Sequence, residues 1–224
     1  MLSKGNMPRK FDPADLPPFP DLSFENEHWR RGCQTVAGID EAGRGALAGP
    51  VYAAAVILPS ARVDLIPTLA GVNDSKKLTP SQRERWATCL PQIAVACAIA
   101  SASAEEIDRI GILPATRLAA QRAIQALSLT PDHLLLDYIL LPSVHLPQTP
   151  LVKGDARSLS IAAASILAKT ARDAHLRTLD QEYPDYGFAA HKGYGTPKHL
   201  AALEKLGPTP IHRRSFAPLR TRLL

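Results

Sequence analysis

Apolar and polar positions divide this chain into short apolar runs and longer stretches of helical spacing. Residues 35–39 and 51–58 are apolar, partly β-branched and bounded by glycine and proline, the pattern of buried strands. Residues 93–100 form a third such run, and 133–136 a fourth that ends at Asp137. The short connection between the first two favours antiparallel neighbours over a crossover. Thr79-Pro80-Ser81-Gln82 offers an N-cap, a first-turn proline and a capping-box glutamine, so a helix starts there. Ser103-Ala104-Glu105-Glu106 repeats the start signal, and Ala120, Ala123, Ile124 and Leu127 follow at helical spacing. After Gly154-Asp155, residues Ile161, Ala164, Ser165 and Ala168 mark a long helix whose small side chains let it approach a sheet closely. Strands first, then helices and strands mixed, predict a layered α/β or α+β domain with one mixed sheet.

Residues 1–34 interrupt that pattern. Pro8, Pro13, Pro17, Pro18 and Pro20 exclude a continuous helix or central strand, so this stretch reads as a proline-rich extension ahead of one domain over 35–224. Within it, residues 22–29 predict a short helix that packs Phe24 and Trp29 on the body. A length of 224 residues fits one domain with an appendage, and 46% hydrophobic with 21% charged residues describes a folded globule. The apolar runs are too short to cross a bilayer, and the N-terminus lacks a signal-peptide core, so no membrane is expected as a partner. Cys33, Cys89 and Cys97 form no C-x-x-C pair and leave one unmatched, which fits a reducing cytoplasm. Lysine and arginine outnumber aspartate and glutamate by 26 to 21, a net charge of +5. That excess permits a polyanionic partner without identifying one.

The densest chemical signal is the stretch 38–50, Gly-Ile-Asp-Glu-Ala-Gly-Arg-Gly-Ala-Leu-Ala-Gly-Pro. Asp40 and Glu41 lie where an apolar strand enters a glycine-rich loop. In a regular strand their side chains face opposite ways, so both serve one site only if the strand ends or twists there. Taken alone, the pair reads more readily as a solvated turn; the glycines, which let a backbone approach something closely, shift that balance. A phosphate-binding P-loop is excluded because no Gly-Lys-Ser/Thr closes the loop. Adjacent acids beside a phosphate-sized groove make sense when a divalent cation neutralises them, and hard oxygen ligands suit Mg²⁺ or Mn²⁺. Two further carboxylates could converge on them. Asp137 terminates a run of three leucines, and Asp155 precedes the long helix, where it reads equally as a helix cap.

Several motifs then follow in order. They are Asp40-Glu41-Ala42-Gly43-Arg44-Gly45, Asn73-Asp74-Ser75-Lys76-Lys77-Leu78, Lys153-Gly154-Asp155, the stretch 161–169, Tyr186-Gly187-Phe188, His191-Lys192-Gly193-Tyr194 and His212-Arg213-Arg214-Ser215-Phe216. This series resembles bacterial ribonuclease HII, a type 2 ribonuclease H, from about Thr35 to Phe216. The Gly-Arg-Gly triplet matches that group and not the sister HIII group, whose extra N-terminal domain residues 1–34 are too short to form.

The resemblance implies a ribonuclease H-like fold, a mixed five-stranded sheet flanked by helices with a helical C-terminal portion. It implies a monomeric, cytoplasmic endoribonuclease that cleaves the RNA strand of RNA·DNA hybrids and cuts 5′ to ribonucleotides embedded in duplex DNA. By the same resemblance, Asp40, Glu41 and Asp137 bind Mg²⁺ or Mn²⁺, and Asp155 is the fourth active-site acid. The chemistry implied is two-metal hydrolysis leaving 5′-phosphate and 3′-hydroxyl ends. The backbone at Gly43, Arg44 and Gly45 would read the ribose 2′-hydroxyl, the group that distinguishes RNA from DNA. Tyr194 would sit against the neighbouring deoxyribose. One departure is evident: the family often carries Gly-Asn after the third acid, where this chain has Tyr138-Ile139.

Other basic residues carry weaker expectations. Lys76, Lys77 and Lys153 could contact phosphates or be solvated. Arg213, Arg214, Arg220 and Arg222 form a basic tail that could track a nucleic-acid backbone or be simply solvated. His191, His199 and His212 lack zinc-ligand spacing, so packing or surface roles are expected. A non-catalytic hybrid-binding module is the competing reading, and the presence of all four acids argues against it.

Overall fold

The computed structural model describes residues 16–220. Its centre is a mixed sheet of β1 (Val36–Ala42), β2 (Val51–Ile57), β3 (Ala96–Ala102), β4 (His133–Asp137) and β5 (Gln148–Leu151), in the order β3-β2-β1-β4-β5. The first two strands are antiparallel, as their short connection requires, and β2 pairs antiparallel with β3. The remaining pairs, β1 with β4 and β4 with β5, are parallel. The expected five-stranded ribonuclease H-like sheet is therefore present.

Helices cover both faces. On one, Ala37 and Ile39 of β1 and Leu134 and Leu136 of β4 pack against Ala115, Ala119 and Ala123 of α5 (Ile112–Gln125). On the other, Ala54 and Val56 of β2 meet Leu90 of α3 (Pro80–Ile93) and Ala162, Ala163 and Ile166 of α6 (Leu159–Glu182). Fully burying each larger aliphatic side chain contributes about 1.5–3 kcal/mol. The α6 face works by smallness instead. A Cβ on Gly38 would stand 2.2 Å from the Ser160 carbonyl carbon, so any side chain there would force α6 off β1.

The start signals behave as the sequence predicts. The Thr79 hydroxyl accepts from Gln82 N (3.3 Å) while Gln82 Oε1 accepts from Thr79 N (2.8 Å), closing the capping box of α3. Ser103 and Glu106 do the same for α4 (Ala104–Ile110). The helical stretch after Ser103 is not continuous, however. Gly111, with φ +85°, ends α4 and turns the chain into α5. The third apolar run is likewise split, because Ile93 closes α3 and the strand begins at Ala96.

Short helices complete the fold: α1 (Ser23–Arg30), α2 (Leu65–Thr68), α7 (Phe188–His191) and α8 (Pro197–Leu206). The last two belong to the helical C-terminal portion, packed around Leu176, Tyr186, Phe188 and Leu203. As expected, α1 lays Phe24 and Trp29 against the body, on Val36, Leu135, Leu151 and Ile161. It also buries Glu25 completely. Glu25 Oε1 accepts from Ser158 Oγ (2.5 Å), Ser160 N (2.9 Å) and Ser160 Oγ (2.5 Å), while burial raises its pKa above the usual carboxylate range. The first turn of α6 is thus capped by a side chain from the opposite end of the chain. Pro8 and Pro13 lie outside the described residues. No helix among the described residues is long and apolar enough to cross a membrane.

Candidate active site

Strand parity decides which acids meet. Val36, Gly38, Asp40 and Ala42 share the α6 face of β1, and Ala37, Ile39 and Glu41 share the α5 face. On β4, Leu135 contacts the α6 side and Leu134 and Leu136 the α5 side, so Asp137 falls on the same face as Asp40. Asp155 reaches them from a 3₁₀ turn, Gly154–Ala156, just before α6. Carboxylate oxygens of Asp40, Asp137 and Asp155 all lie within 4.8 Å of one another. Asp155 is not the cap of α6; Ser158 holds that position, accepting from Ile161 N.

The three acids are buried or half-buried and raise one another's affinity for protons. Burial, then the charges of Glu41, Asp137 and Asp155, push the Asp40 carboxyl well above its usual value. Burial also raises Asp137, against the opposing pull of the Gly154 N–H that donates to Oδ1 at 2.8 Å. Asp155 is pushed up to about 6 by burial, then by Asp137 and Asp74. Lys76, whose Nζ lies 3.7 Å from Asp155 Oδ2, is one charge on a side chain 80% exposed. It cannot neutralise three carboxylates. A close, desolvated, all-oxygen donor set with excess negative charge is what Mg²⁺ or Mn²⁺ requires, so these residues fit a hard divalent cation.

Glu41 stands apart. Instead of ending at the acid pair, β1 runs on to Ala42, because residues 40–42 continue to pair with Ala54, Ala53 and Tyr52. Glu41 therefore leaves β1 on the other face and pairs with Arg44 Nη1 at 3.3 Å, but at the strand end it lines the same groove as Asp40, within reach of a cation beside it. Burial raises its pKa and Arg44 counteracts the rise.

Beside the acids runs a groove of about 520 Å³, lined among others by Gly43, Arg44, Gly45, Lys76 and Tyr194. Lys76 sits in a 3₁₀ turn whose start is fixed by Asp74 Oδ1 accepting from its N–H (2.9 Å). Tyr194 approaches Gly45, where a Cβ would be 4.0 Å from the Tyr194 ring. Lys77 and Lys153 are exposed and do not line this groove.

Sequence reasoning misplaced Arg213 and overlooked Arg172. Arg213 is no part of a solvated tail; it is fully buried. Its guanidinium donates to the carbonyls of Gly43 (2.7 Å), Arg44 (2.8 Å) and Gly49 (2.9 Å). Arg172, also fully buried, donates to the carbonyls of Pro50 (3.0 Å), Ala48 (3.2 Å) and Lys192 (3.0 Å), and its guanidinium lies 5.4 Å from the Tyr194 ring centroid. The glycine-rich loop is thus held from behind by two arginines. At Gly43, φ is +93° and a Cβ would fall 1.9 Å from Arg172 Nε, so only glycine fits. A signal for Arg172 existed: it continues the buried stripe of Ile161, Ser165 and Ala168 at helical spacing. Arg214 and Arg220 are exposed, and Arg222 lies outside the described residues. The histidines pack as expected, with His191 stacked on His199 and His199 Nε2 3.0 Å from His212 Nε2.

Three acids at the ends of neighbouring strands and before a long helix, on this sheet order, define a ribonuclease H-like nuclease. A sequence model described as Ribonuclease HII matches residues 37–219. A Ribonuclease HII from Chloroflexus aurantiacus is 54% identical over 205 residues, covering 92% of this chain and 97% of that protein. One from a Synechococcus strain is 54% identical over 202 residues, 90% of each. The crystal structure of ribonuclease H2 from Pyrococcus horikoshii superposes with a TM-score of 0.70 at 28% identity, over 84% of this chain and 96% of that one. The chain belongs to the ribonuclease HII family. It is accordingly a metal-dependent endoribonuclease of the kind that acts on RNA·DNA hybrids.

Proposed function

We propose that this enzyme cuts on the 5′ side of ribonucleotides embedded in duplex DNA, as well as within longer RNA·DNA hybrids, leaving 5′-phosphate and 3′-hydroxyl ends. The observation that carries this reading is the convergence of Asp40, Asp137 and Asp155 beside the Gly43–Gly45 loop and Tyr194. Asp40, Asp137 and Asp155 would hold one divalent cation, and Asp40 with Glu41 a second. Bound Mg²⁺ or Mn²⁺ supplies Lewis acidity, lowering the pKa of the attacking water and balancing charge on the departing 3′ oxygen.

The protein's own groups supply selection and alignment. The backbone of residues 43–45, made approachable by two glycines and fixed by Arg213 and Arg172, reads the 2′-hydroxyl in the minor groove. Tyr194 packs on the adjacent deoxyribose, so a ribose followed by a deoxyribose fills both positions. Lys76, on the groove wall, meets a flanking phosphate, and Lys153 contributes charge from the far side. No protein nucleophile takes part. The enzyme works as a monomer in the cytoplasm, a setting that suits its three free cysteines.

The test is a labelled DNA duplex carrying one ribonucleotide, incubated with Mg²⁺, with Mn²⁺ and with chelator. A single cut 5′ to the ribonucleotide, lost on chelation, is expected. Absence of that cut with both metals refutes the proposal.

A further inference from the structure

Tyr138 combines two properties that the fold does not require together. Its backbone is left-handed, with φ at 66°, a conformation strained for any bulky side chain. Its side chain is 69% exposed. The turn itself is set by the main chain. The Tyr138 N–H is shared between the carbonyls of Leu136 (2.9 Å) and Leu151 (3.0 Å), and Ile139 N donates to the Asp137 carbonyl (2.8 Å). That turn ends β4 with Asp137 aimed at Asp40 and Asp155, and it calls for a left-handed residue at 138. It does not call for a ring. Glycine would make the same turn without strain. A large, exposed aromatic at a strained position next to the acid cluster points to a role outside the fold.

Position says what that is. Neighbouring Cα atoms are about 3.8 Å apart, so residue 138 lies a single step from a carboxylate of the acid cluster. In a duplex whose scissile phosphate lies at the acids, the flanking sugar–phosphate backbone comes within reach of an exposed side chain at this position. The sheet order fixes the side. The glycine loop leads from β1 into β2, whereas β4 lies on the other flank of β1. Tyr138 thus borders the acids on the side away from residues 43–45. Val152, 37% exposed, and the exposed Lys153 stand next to it at the end of β5, where Leu151 is in register with Asp137.

We infer that Tyr138 is a substrate-contacting residue. Its ring packs against the sugar–phosphate backbone of the duplex flanking the scissile phosphate, opposite the contacts made by the glycine loop and Tyr194. The inference rests on the reading of the site as a nuclease of ribonucleotide-containing duplexes.

Two variants test it, Tyr138→Gly and Tyr138→Phe, with three readouts on the full chain. The first is KM and kcat on the single-ribonucleotide duplex with Mg²⁺. The second is Kd for the same duplex by fluorescence anisotropy, with Ca²⁺ replacing Mg²⁺. The third is Tm. Tyr138→Gly should raise KM and Kd at least about 5-fold, the lower end of what losing an aromatic stacking contact to nucleic acid costs. Its kcat should stay within about twofold, and its Tm should be unchanged or higher because backbone strain is relieved. Tyr138→Phe should match the wild type within about twofold. Unchanged Kd in the glycine variant overturns the inference, and so does a binding loss accompanied by a fall in Tm. A phenylalanine variant as weak as the glycine one overturns the ring contact. Because Kd is measured without turnover, a wild type that binds through Tyr138 but never cuts would refute the proposed reaction and leave this contact standing.

Discussion

Two buried clusters of like charge flank the glycine loop, and they are resolved in opposite ways. Behind the loop, Arg172 and Arg213 are fully buried, and their guanidiniums are bonded to carbonyl oxygens and not, among the described residues, to a carboxylate. Every nitrogen of the two guanidiniums donates to a backbone carbonyl, and burial, then Arg172, lowers Arg213 to about 9, still charged near neutrality. In front, Asp40, Asp137 and Asp155 are as crowded but receive only a few N–H donors and one solvent-exposed lysine. The cationic pair is closed, its charge absorbed by peptide dipoles. The anionic triad is open, and its charge is left for something the chain does not supply. Buried like charges are therefore not by themselves a sign of function; the lack of compensating partners is.

That contrast can be broken at either end. Neutralising the open cluster with Asp40→Asn should have the largest effect, a fall in cleavage of at least about 10³-fold, beyond the 10²–10³ that loss of one transition-state donor costs. Duplex binding in anisotropy should persist, because the glycine loop and Tyr194 are untouched. Joint loss of binding and folding would instead mark Asp40 as structural. At the closed cluster, Arg213→Ala strands three loop carbonyls at about 1–3 kcal/mol each, so a loss of at least about 3 kcal/mol is expected in urea unfolding. Its neighbour Arg214 is exposed, and Arg214→Ala should stay within about 0.5 kcal/mol. Equal costs at 213 and 214 would dissolve the distinction.

The smallest effect is also the most diagnostic. Raised carboxyl pKa values mean that, without metal, the unfolded chain releases its protons first as pH rises. Stability from these acids is therefore present below about pH 4 and lost as pH climbs through about 6, the value for Asp155. Asp40→Asn removes a member of the cluster, so the Tm of the metal-free variant minus that of the wild type should be near zero at pH 4. It should reach a few degrees by pH 7. Taking the difference cancels the opposing contribution of half-buried His133 and buried His212, which are both lowered to about 4 and favour folding as pH rises. A difference that is flat with pH would show that the acids do not repel one another.

Much of this was readable from residues. Apolar runs located four strands, and Thr79, Ser103 and the small-residue stripe of α6 located three helices. The fifth strand, Gln148–Leu151, carries polar residues and Pro150, so it gave no signal of its own, as befits a sheet edge. The motifs named all four acids. Which of them meet was hidden, because it depends on strand parity and on β1 continuing past the pair, both consequences of pairing with β2. Arg213 was misread for a different reason. Sequence reports a charge but not its burial, and the carbonyls that make burial tolerable lie 164–170 positions away.

Glu25 has a consequence for the order of events as the chain emerges. Its bonds to Ser158 and Ser160 span 133 and 135 residues, so they cannot form until most of the polypeptide has been synthesised. Contacts of such separation close late and slowly. Helix α1 therefore cannot complete its docking until the start of α6 has been made. Once docked, it clamps the turn of α6 that follows Asp155, so a segment more than 130 residues upstream braces the chain next to the anionic triad.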